Sequence, residues 1–375
     1  MLENIKIRNF RNFTNYEVTF NKGITTLFGR NGVGKSSLIE AIYFLSIGRS
    51  FRARHDRDTV NKNILGTGDF AQIKGMFNNL SENRELQIIL NVNESFRLSK
   101  NGNINGANIK LSEFVGNLKS VCFSVNDMNV IFGSPSERRK YMDLLNTQLN
   151  SNYTSELLTY NNILDSRNAL LKRIKNNDSS KDELKYWNDK MIDIGSYIIQ
   201  KRYKSLDKLN LISKDIFTKI FNSEHMGDIR YLSSITNGNE YNLKDDLERI
   251  QSQFRDKILE YEHRDISYGR SNIGPHRDDM VIKIDGDSAQ NFASRGQARL
   301  LVLGIKLAEC ELIREYSEEP IILLDDAFSE LDFQNQEYLA KFILEYNQCL
   351  ITGLDFSVIK KLNIPTHEIL MGEKN

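Results

Sequence analysis

The spacing of apolar residues divides the chain into stretches of different character. Residues 1–130 carry short apolar runs between Gly and Asn turns, such as Ile24 to Phe28 and Glu85 to Val92, which is typical of β-strands. From about Ser136 to His263, apolar residues instead recur every three or four positions, which predicts amphipathic helices that pack through one face. A polar break at Asn176 to Lys181 predicts the turn of an antiparallel helix pair.

Strand-like and Gly-rich pattern returns after about Ser267. There Pro320 precedes Ile321 to Leu324, a run of four aliphatic residues that is typical of a strand buried on both faces. The order predicts an α/β fold in which residues 1–130 and 266–375 form one mixed-sheet unit with a β-rich part. Residues 131–265 are predicted to form an inserted helical lobe.

The amino-acid composition excludes several classes of protein. The 375 residues carry 50 Lys or Arg and 50 Asp or Glu, so the chain does not hold nucleic acid by bulk positive charge, and any polyanion site must be a local patch. Three widely spaced cysteines fit neither a disulfide framework nor a cysteine zinc site, and the five histidines lack metal-ligand spacing. The sequence contains no signal peptide or membrane span, which predicts a soluble cytoplasmic protein in a reducing compartment.

The strongest chemical motif is GRNGVGKS, from Gly29 to Ser36, a complete phosphate loop. A predicted strand precedes it, and Ser37 to Leu45 is predicted to be the helix that follows. Glycines let backbone N–H groups surround phosphates, Lys35 reaches the β and γ phosphates, and Ser36 can ligate Mg²⁺. The sequence therefore predicts an ATP or GTP site built from Gly29, Arg30, Asn31, Gly32, Val33, Gly34, Lys35, Ser36 and Ser37.

Two adjacent acids follow the aliphatic run in Ile321 to Asp326. A buried strand that ends in a carboxylate would deliver Asp325 beside the phosphate loop to hold Mg²⁺. Asp326 would then face the other way, where it could orient the attacking water or accept its proton. In isolation such acids are more often solvated charges at a strand end, and it is the phosphate loop that favours the catalytic interpretation.

A second candidate anion site lies in ASRGQ, from Ala293 to Gln297. A helix is predicted from Ala298 to Tyr316, and Ser294 would cap or precede it. The Ser294 hydroxyl, the Gly296 N–H and the helix N-terminus could together bind an anion. The alternative is an ordinary N-cap with Gly in a turn, which the position 31 residues before Asp325 makes weaker.

Together with SELD at Ser329 to Asp332, these motifs resemble an ABC-type ATPase head. The closer resemblance is to the RecF family of bacterial recombination mediators, which is related to the SMC proteins, and it spans the whole chain. The stretches that carry it are IRNFRNF (7–13), GRSFR (48–52), GSPSERRKYMD (133–143), GPHRDD (274–279), ASRGQAR (293–299) and LLDDAFSELD (323–332).

The resemblance implies that two heads bind ATP and Mg²⁺ between them and dimerise, and that Ser294, Gly296 and Gln297 act in trans as the signature motif. Asp332 would be the D-loop residue. The implied activity is a weak DNA-dependent ATPase that acts on duplex and gapped DNA near single-strand junctions. RecR and RecO are the implied partners in recombinase loading, replication recovery and the SOS response.

Some family features are missing or ambiguous. ABC heads carry a Gln-loop, yet no glutamine occurs between Gln87 and Gln148, so that role is either unfilled or taken by Asn126 or Asp127. Where transporter ATPases place a switch histidine, this chain has Thr352 and Gly353. The resemblance also leaves the role of GPHRDD open.

The candidate DNA contacts lie in a basic cluster near the start of the chain. Residues 1–60 carry ten Lys or Arg against five Asp or Glu, which is usual for a solvated face. By resemblance to the arginine-loop of SMC-related heads, the cluster could instead contact DNA phosphates through Arg49, Arg52, Arg54 and Arg57. Arg138 to Lys140 could extend that surface or be solvated at a helix start.

Other ABC-type classes remain as alternatives. A transporter subunit would place its signature motif closer to the phosphate loop than the 258 residues between Ser36 and Ser294. A structural SMC protein needs arms far longer than 128 residues, the length from Ser136 to His263. An ATP-driven nuclease would need a further acidic domain, for which no chain remains after Asp332.

Overall fold

The computed structural model describes residues 1–78, 83–93, 97–236, 246–353 and 357–372, and all structural statements concern these residues. Backbone contacts divide the chain into two compact units. The first unit comprises residues 1–128 and 302–375, and the second comprises residues 129–301.

The strands are numbered in chain order. They are β1 (Leu2–Phe10), β2 (Phe13–Thr19), β3 (Gly23–Phe28), β4 (Phe70–Asn78), β5 (Asn83–Val92), β6 (Leu98–Ile104), β7 (Ala107–Ile109), β8 (Ser120–Phe123), β9 (Gly227–Leu232), β10 (Asp279–Ile284), β11 (Asp287–Ser288), β12 (Ile321–Asp325), β13 (Gln348–Thr352) and β14 (Thr366–Leu370).

The helices are numbered in the same way. They are α1 (Lys35–Ile47), α2 (Leu111–Phe114), α3 (Asn129–Phe132), α4 (Pro135–Leu149), α5 (Tyr153–Lys175), α6 (Leu184–Ile220), α7 (Leu247–Tyr268), α8 (Ala289–Phe292), α9 (Arg295–Tyr316), α10 (Phe333–Ile343) and α11 (Ser357–Lys361).

One sheet of the first unit is antiparallel, in the order β2-β1-β4-β5-β6-β7. Its strands β1, β4 and β5 alternate between buried residues and more accessible ones, as a sheet with one solvated face requires. On β1, for example, Ile5 and Ile7 are buried while Lys6 and Arg8 are exposed. This sheet is the β-rich part that the sequence predicts.

The other sheet of the first unit is parallel, in the order β14-β3-β13-β12-β8. Its strand β12 is buried on both faces from Ile321 to Leu324, as the aliphatic run predicts. Because the strands are parallel, the carboxyl ends of β3, β13 and β12 lie along one edge of the sheet. The phosphate loop and the two acids therefore emerge at the same edge.

The second unit is mainly helical. The predicted turn lies between α5 and α6, which pack against each other through Leu170, Leu171, Ile174 and Leu184. The predicted helix pair is thus confirmed. A buried ion pair also joins α5 to α7 in this unit. Arg167 is fully buried, and its Nη1 lies 2.8 Å from Asp265 Oδ2.

The second unit also holds a small sheet in the order β11-β10-β9. The sequence predicts only helices between residues 131 and 265, and β9 (Gly227–Leu232) departs from that prediction because it pairs with β10 (Asp279–Ile284), beyond the predicted lobe. The unit therefore extends to residue 301 rather than 265 by backbone contacts. Assignment of the predicted lobe as a functional domain stays a prediction.

Candidate nucleotide-binding site

The phosphate loop joins β3 to α1 and depends on glycine backbone geometry. Gly29, Gly32 and Gly34 have φ angles of 145°, 84° and 116°, which other residues rarely adopt. A Cβ on Gly29 would lie 2.6 Å from the carbonyl oxygen of Met371, and one on Gly34 would lie 2.7 Å from the ring of Phe13. Gly29 and Gly34 therefore meet both a conformational and a steric requirement, and Gly32 meets a conformational one.

Lys35 is the first residue of α1 and lies against the loop. Its ammonium donates hydrogen bonds to the carbonyl oxygens of Gly29 (2.7 Å) and Arg30 (3.1 Å). At the start of the helix, Gly34 provides no side-chain cap, which suits an N-terminus that accepts an anion. The loop, the ammonium and the helix N-terminus are thus arranged as phosphate binding requires.

The two acids at the end of β12 differ in their surroundings. Asp325 pairs in register with Thr352 of β13, and the Thr352 hydroxyl donates to Asp325 Oδ1 at 2.8 Å. The same hydroxyl accepts the N–H of Asp326 at 3.2 Å. Asp326 has a φ of 56°, a left-handed conformation that is uncommon outside glycine. The chain therefore turns sharply between the acids, and Thr352 fixes the first of them.

The pKa of the Asp326 carboxyl is raised by burial and by the negative charge of Asp325, while the charge of Lys35 opposes the rise. The influence of Lys35 places the phosphate loop and the end of β12 in one electrostatic environment. A raised pKa brings a carboxylate nearer to the basicity that a proton acceptor needs. This arrangement suits the role predicted for Asp326.

The residues predicted to hold Mg²⁺ are consistent with that ion. Ser36 offers a hydroxyl, and among the described residues no hydrogen bond engages the second carboxylate oxygen of Asp325. The described part of the chain contains no cluster of three or more His, Cys, Asp or Glu side chains suited to a metal. Mg²⁺ bound with nucleotide does not need one, since one or two protein oxygens, phosphates and water complete its octahedron.

A buried charge cluster adjoins the phosphate loop helix and was missed by the sequence analysis. Glu40 of α1 is fully buried, and its carboxylate accepts hydrogen bonds from Arg11 (2.5 and 2.7 Å), Arg52 (2.8 Å) and Ser50 (2.5 Å). Arg52 also donates to the hydroxyl of Ser37 at 3.1 Å. Arg52, predicted to contact DNA, is therefore hydrogen-bonded to Ser37, predicted to contact the nucleotide.

The other predicted DNA contacts lie on the surface. Arg49, Arg54 and Arg57 are exposed, and Arg57 lies 3.7 Å from Asp58. Their exposure suits either a solvated face or contact with phosphates. The DNA role of the cluster stays a prediction.

The candidate signature motif forms the start of α9. The Ser294 hydroxyl accepts the N–H of Gln297 at 3.2 Å, while Gln297 Oε1 accepts the N–H of Ser294 at 2.9 Å. This reciprocal pair is a capping box, with Gln in place of the more frequent Glu. Ser294 and Gly296 are exposed, and a Cβ on Gly296 would meet nothing closer than the Ser294 hydroxyl at 3.9 Å. The predicted cap is confirmed.

Two of the remaining candidates, Asp332 and Asp127, make contacts within their own unit. Asp332 caps α10 by accepting the N–H of Asn335 at 3.0 Å. Asp127 accepts the N–H of Ser124 at 2.6 Å and lies 3.9 Å from the ammonium of Lys306, whereas Asn126 is exposed. Neither Asn126 nor Asp127 is distinguished as a Gln-loop substitute by these contacts.

The GPHRDD segment makes internal contacts within the second unit. His276 bonds to the hydroxyl of Tyr160 through Nδ1 (2.7 Å) and to the carbonyl oxygen of Ser271 through Nε2 (3.2 Å), and burial lowers the pKa of His276 to about 4. Asp278 is buried and accepts bonds from Tyr231 and from the Ser234 N–H. The motif therefore stabilises this unit.

Comparison with known proteins agrees with this geometry. Residues 1–371 match the family model described as the RecF/RecN/SMC N terminal domain. Proteins named DNA replication and repair protein RecF are 35% identical in Oenococcus oeni and 36% identical in Clostridium acetobutylicum, and each match covers 96% of this chain and 94% of the relative. The chain belongs to the RecF family. Membership places it among DNA replication and repair proteins with an ABC-type ATPase domain.

Solved structures support the same fold. A structure of the recombination mediator protein RecF-ATP in the RecFOR pathway is 32% identical and has a TM-score of 0.85, over 95% of this chain and 92% of that one. An Smc head domain from Pyrococcus furiosus has a TM-score of 0.54 at 17% identity, over 99% of this chain and 94% of that one. The ABC-type ATPase head predicted from the sequence is confirmed, and its relation to SMC heads extends to the fold.

No described helix combines the length and the apolar character needed to cross a lipid bilayer. The described cysteines, Cys122, Cys310 and Cys349, are buried and carry no disulfide. The predicted cellular location stays a prediction.

Proposed function

We propose that this RecF-family protein binds ATP with Mg²⁺ at the phosphate loop, dimerises through the nucleotide on DNA and hydrolyses ATP slowly. The observation that carries the proposal is the joint placement of Lys35, Asp325 and Asp326 at one edge of the parallel sheet of the first unit. The solved RecF-ATP relative supports ATP as the nucleotide.

Each residue then has a defined task. Lys35 and the loop N–H groups bind the β and γ phosphates, and Ser36 and Asp325 hold Mg²⁺, which supplies charge neutralisation on the phosphates when bound. Asp326 accepts the proton of the attacking water, helped by its raised pKa. Thr352 orients Asp325 through its 2.8 Å hydrogen bond.

The signature motif completes the reaction in a dimer. The Ser294 hydroxyl and the Gly296 N–H lie exposed at the N-terminus of α9, where they are available to a phosphate bound by another subunit. ATP held between two such surfaces would join the subunits, and hydrolysis would release them. Gln297 holds this helix start, and Asp332 would lie at the same contact as the D-loop residue.

The ATP-bound dimer is proposed to bind DNA, duplex or gapped, near junctions between single and double strands. The proposed contacts are the exposed arginines Arg49, Arg54 and Arg57, together with Arg52. The relative described as a recombination mediator in the RecFOR pathway supports RecO and RecR as the proposed partners. Recombinase loading, replication recovery and the SOS response are the proposed outcome. We place the protein in the cytoplasm for this role.

Sedimentation of the protein with ATP, with ADP and without nucleotide, each with and without gapped DNA, tests the proposal. We expect dimers with ATP, more of them with DNA, and monomers with ADP. The Lys35→Met variant, which should not bind nucleotide, is the control. The same mass in every condition would contradict a nucleotide-gated clamp.

A further inference from the structure

A chain of side-chain hydrogen bonds leads from the surface of the second unit to the signature motif. Asp285 Oδ2 lies 2.7 Å from His225 Nδ1, and His225 Nε2 lies 3.1 Å from Gln297 Nε2. Gln297 is the residue whose Oε1 accepts the N–H of Ser294. This series of hydrogen bonds thus ends at Ser294, the residue proposed to contact the nucleotide of the other subunit.

The chemistry of these groups fixes the direction of every bond. A backbone N–H only donates, so the side-chain oxygen of Gln297 must face Ser294 and its NH₂ must face His225. An amide NH₂ also only donates, so His225 Nε2 must accept. The imidazole is therefore neutral with its proton on Nδ1, which donates to Asp285.

Contacts with neighbouring residues hold Asp285 and His225 in place although the two come from distant parts of the chain. The second oxygen of Asp285 accepts the N–H of Met226 at 2.8 Å, and the N–H of Asp285 donates to the Met226 carbonyl at the same distance. The ring of Phe221 lies edge-on to the imidazole, with centroids 5.6 Å apart. His225 is thus fixed between the end of α6, the β10–β11 turn and the first turn of α9.

We propose that His225 and Asp285 are positioning residues for the signature motif. Asp285 selects the Nδ1–H tautomer of His225, that tautomer orients the Gln297 amide, and the amide holds Ser294 at the N-terminus of α9. The capping box alone leaves the Gln297 NH₂ without a fixed partner, and His225 provides one. This inference rests on the trans role of the signature motif under Proposed function.

The decisive variant is Asp285→Asn, which keeps the size of the side chain. In one orientation the oxygen of Asn at position 285 accepts the Met226 N–H, so its NH₂ group faces His225 Nδ1. The imidazole proton must then move to Nε2, where two donors, the Nε2–H and the Gln297 NH₂, face each other. In the reversed orientation the NH₂ group of the new side chain faces the Met226 N–H, and two donors meet there instead. One hydrogen bond is therefore lost in either orientation. We expect ATP-induced dimerisation to weaken about tenfold, since in each of the two subunits the lost bond loosens the Gln297 amide that holds the cap at Ser294.

Binding of ATP to the monomer should not change in Asp285→Asn, because the phosphate loop belongs to the other unit. Asp287→Asn is the matched control, since it removes the same charge from the same hairpin at an exposed position. The control should dimerise like the parent protein. His225→Leu removes both imidazole bonds and should reproduce the loss, which covers the case in which Asp285→Asn does not fold.

Nitrogen-15 NMR of the His225 ring separates positioning from general stability. We expect the Nδ1–H tautomer alone in the parent protein and in Asp287→Asn, and a population of the Nε2–H tautomer in Asp285→Asn. An Nε2–H tautomer in the parent protein would overturn the inference, as would parent-like dimerisation of Asp285→Asn while Ser294→Arg fails to dimerise. Normal dimerisation of Ser294→Arg would instead remove the proposed function on which the inference rests.

Discussion

The phosphate loop and the signature motif are both proposed to bind the same nucleotide, but they are built in different ways. The loop is fixed by backbone conformation, because Gly29, Gly32 and Gly34 have positive φ angles that few other residues tolerate. The start of α9 is fixed by side chains, through the capping box of Ser294 and Gln297 and the bond to His225. A site made of backbone is rigid, whereas a site made of side chains can be weakened by single substitutions outside it.

Two charged motifs, the residues at the sheet edge of the first unit and GPHRDD of the second, also differ in how far their side chains are accessible. In the first unit, Lys35 and Asp326 remain partly or fully exposed at the sheet edge, where a ligand can reach them. In the second unit, most of GPHRDD is engaged internally, with the Arg202 guanidinium donating to the Pro275 carbonyl at 2.6 Å and Asp278 fully enclosed, while Arg277 is exposed. The enclosed Asp278 therefore serves the structure of its unit, whereas the accessible Lys35 and Asp326 can meet a ligand.

The largest expected effect tests the backbone-built loop. Lys35→Met should weaken ATP binding by about 100-fold or more, because a neutral side chain cannot replace a charge-assisted bond to phosphate. Isothermal titration with ATP measures this. Lys22→Met, at an exposed position outside the loop, is the control and should bind normally. An affinity of Lys35→Met within about threefold of the parent would contradict the assigned loop.

The next effect separates the two adjacent acids. Asp326→Asn should bind ATP but hydrolyse it at least about 100-fold more slowly, because the proton acceptor is lost. ATP-bound dimers should then accumulate, whereas Asp325→Asn should weaken Mg-ATP binding itself. Single-turnover hydrolysis and dimer lifetime measure the difference. Normal hydrolysis by Asp326→Asn, or dissociation as fast as in the parent, would overturn the assignment.

The same carboxylate gives a pH dependence. The pKa of Asp326 is raised, so on acidification its carboxyl takes up a proton at a higher pH than an ordinary Asp does. The hydrolysis rate should therefore begin to fall at that higher pH. Hydrolysis rates measured from neutral to acid pH at saturating ATP check this. An acid limb at or below the ordinary Asp range would exclude Asp326 as the acceptor.

A substitution in the side-chain-built motif should leave the first unit functional. Ser294→Arg places a long charged side chain at the exposed start of α9, so monomers should bind ATP while ATP-induced dimers disappear. Sedimentation with ATP and titration of the monomer measure the two properties. Ser267→Arg, at an exposed position of α7, is the matched control. A variant that dimerises normally, or that cannot bind ATP as a monomer, would refute the trans assignment.

The smallest effect concerns the arginine cluster. Arg52→Ala should reduce the salt dependence of DNA binding by about one phosphate contact, as should Arg54→Ala. Only Arg52→Ala should also lower thermal stability, since it removes a partner of buried Glu40. DNA titrations at several salt concentrations and thermal unfolding measure both. An unchanged salt slope in both variants would favour a solvated face.

Much of the fold was predictable because local patterns record local requirements. The glycines of the phosphate loop indicate positive φ angles, the run Ile321 to Leu324 indicates a strand buried on both faces, and Ser294 before a periodic stretch indicates a helix cap. The helix pair around Asn176 to Lys181 was found for the same reason. By contrast, β9 was not predicted, because its pairing with β10 joins segments 47 or more residues apart.

The sequence by itself determined where the nucleotide-binding motifs lie, because loop, strand and cap are each encoded within a few neighbouring residues. Only the tertiary structure decided that Thr352 orients Asp325, that Glu40 engages Arg11 and Arg52, and that His225 reaches Gln297. The reason is physical: a hydrogen bond requires its two groups within about 3 Å. Side chains that are 27 or 72 residues apart come that close only when packing of the surrounding elements brings them together.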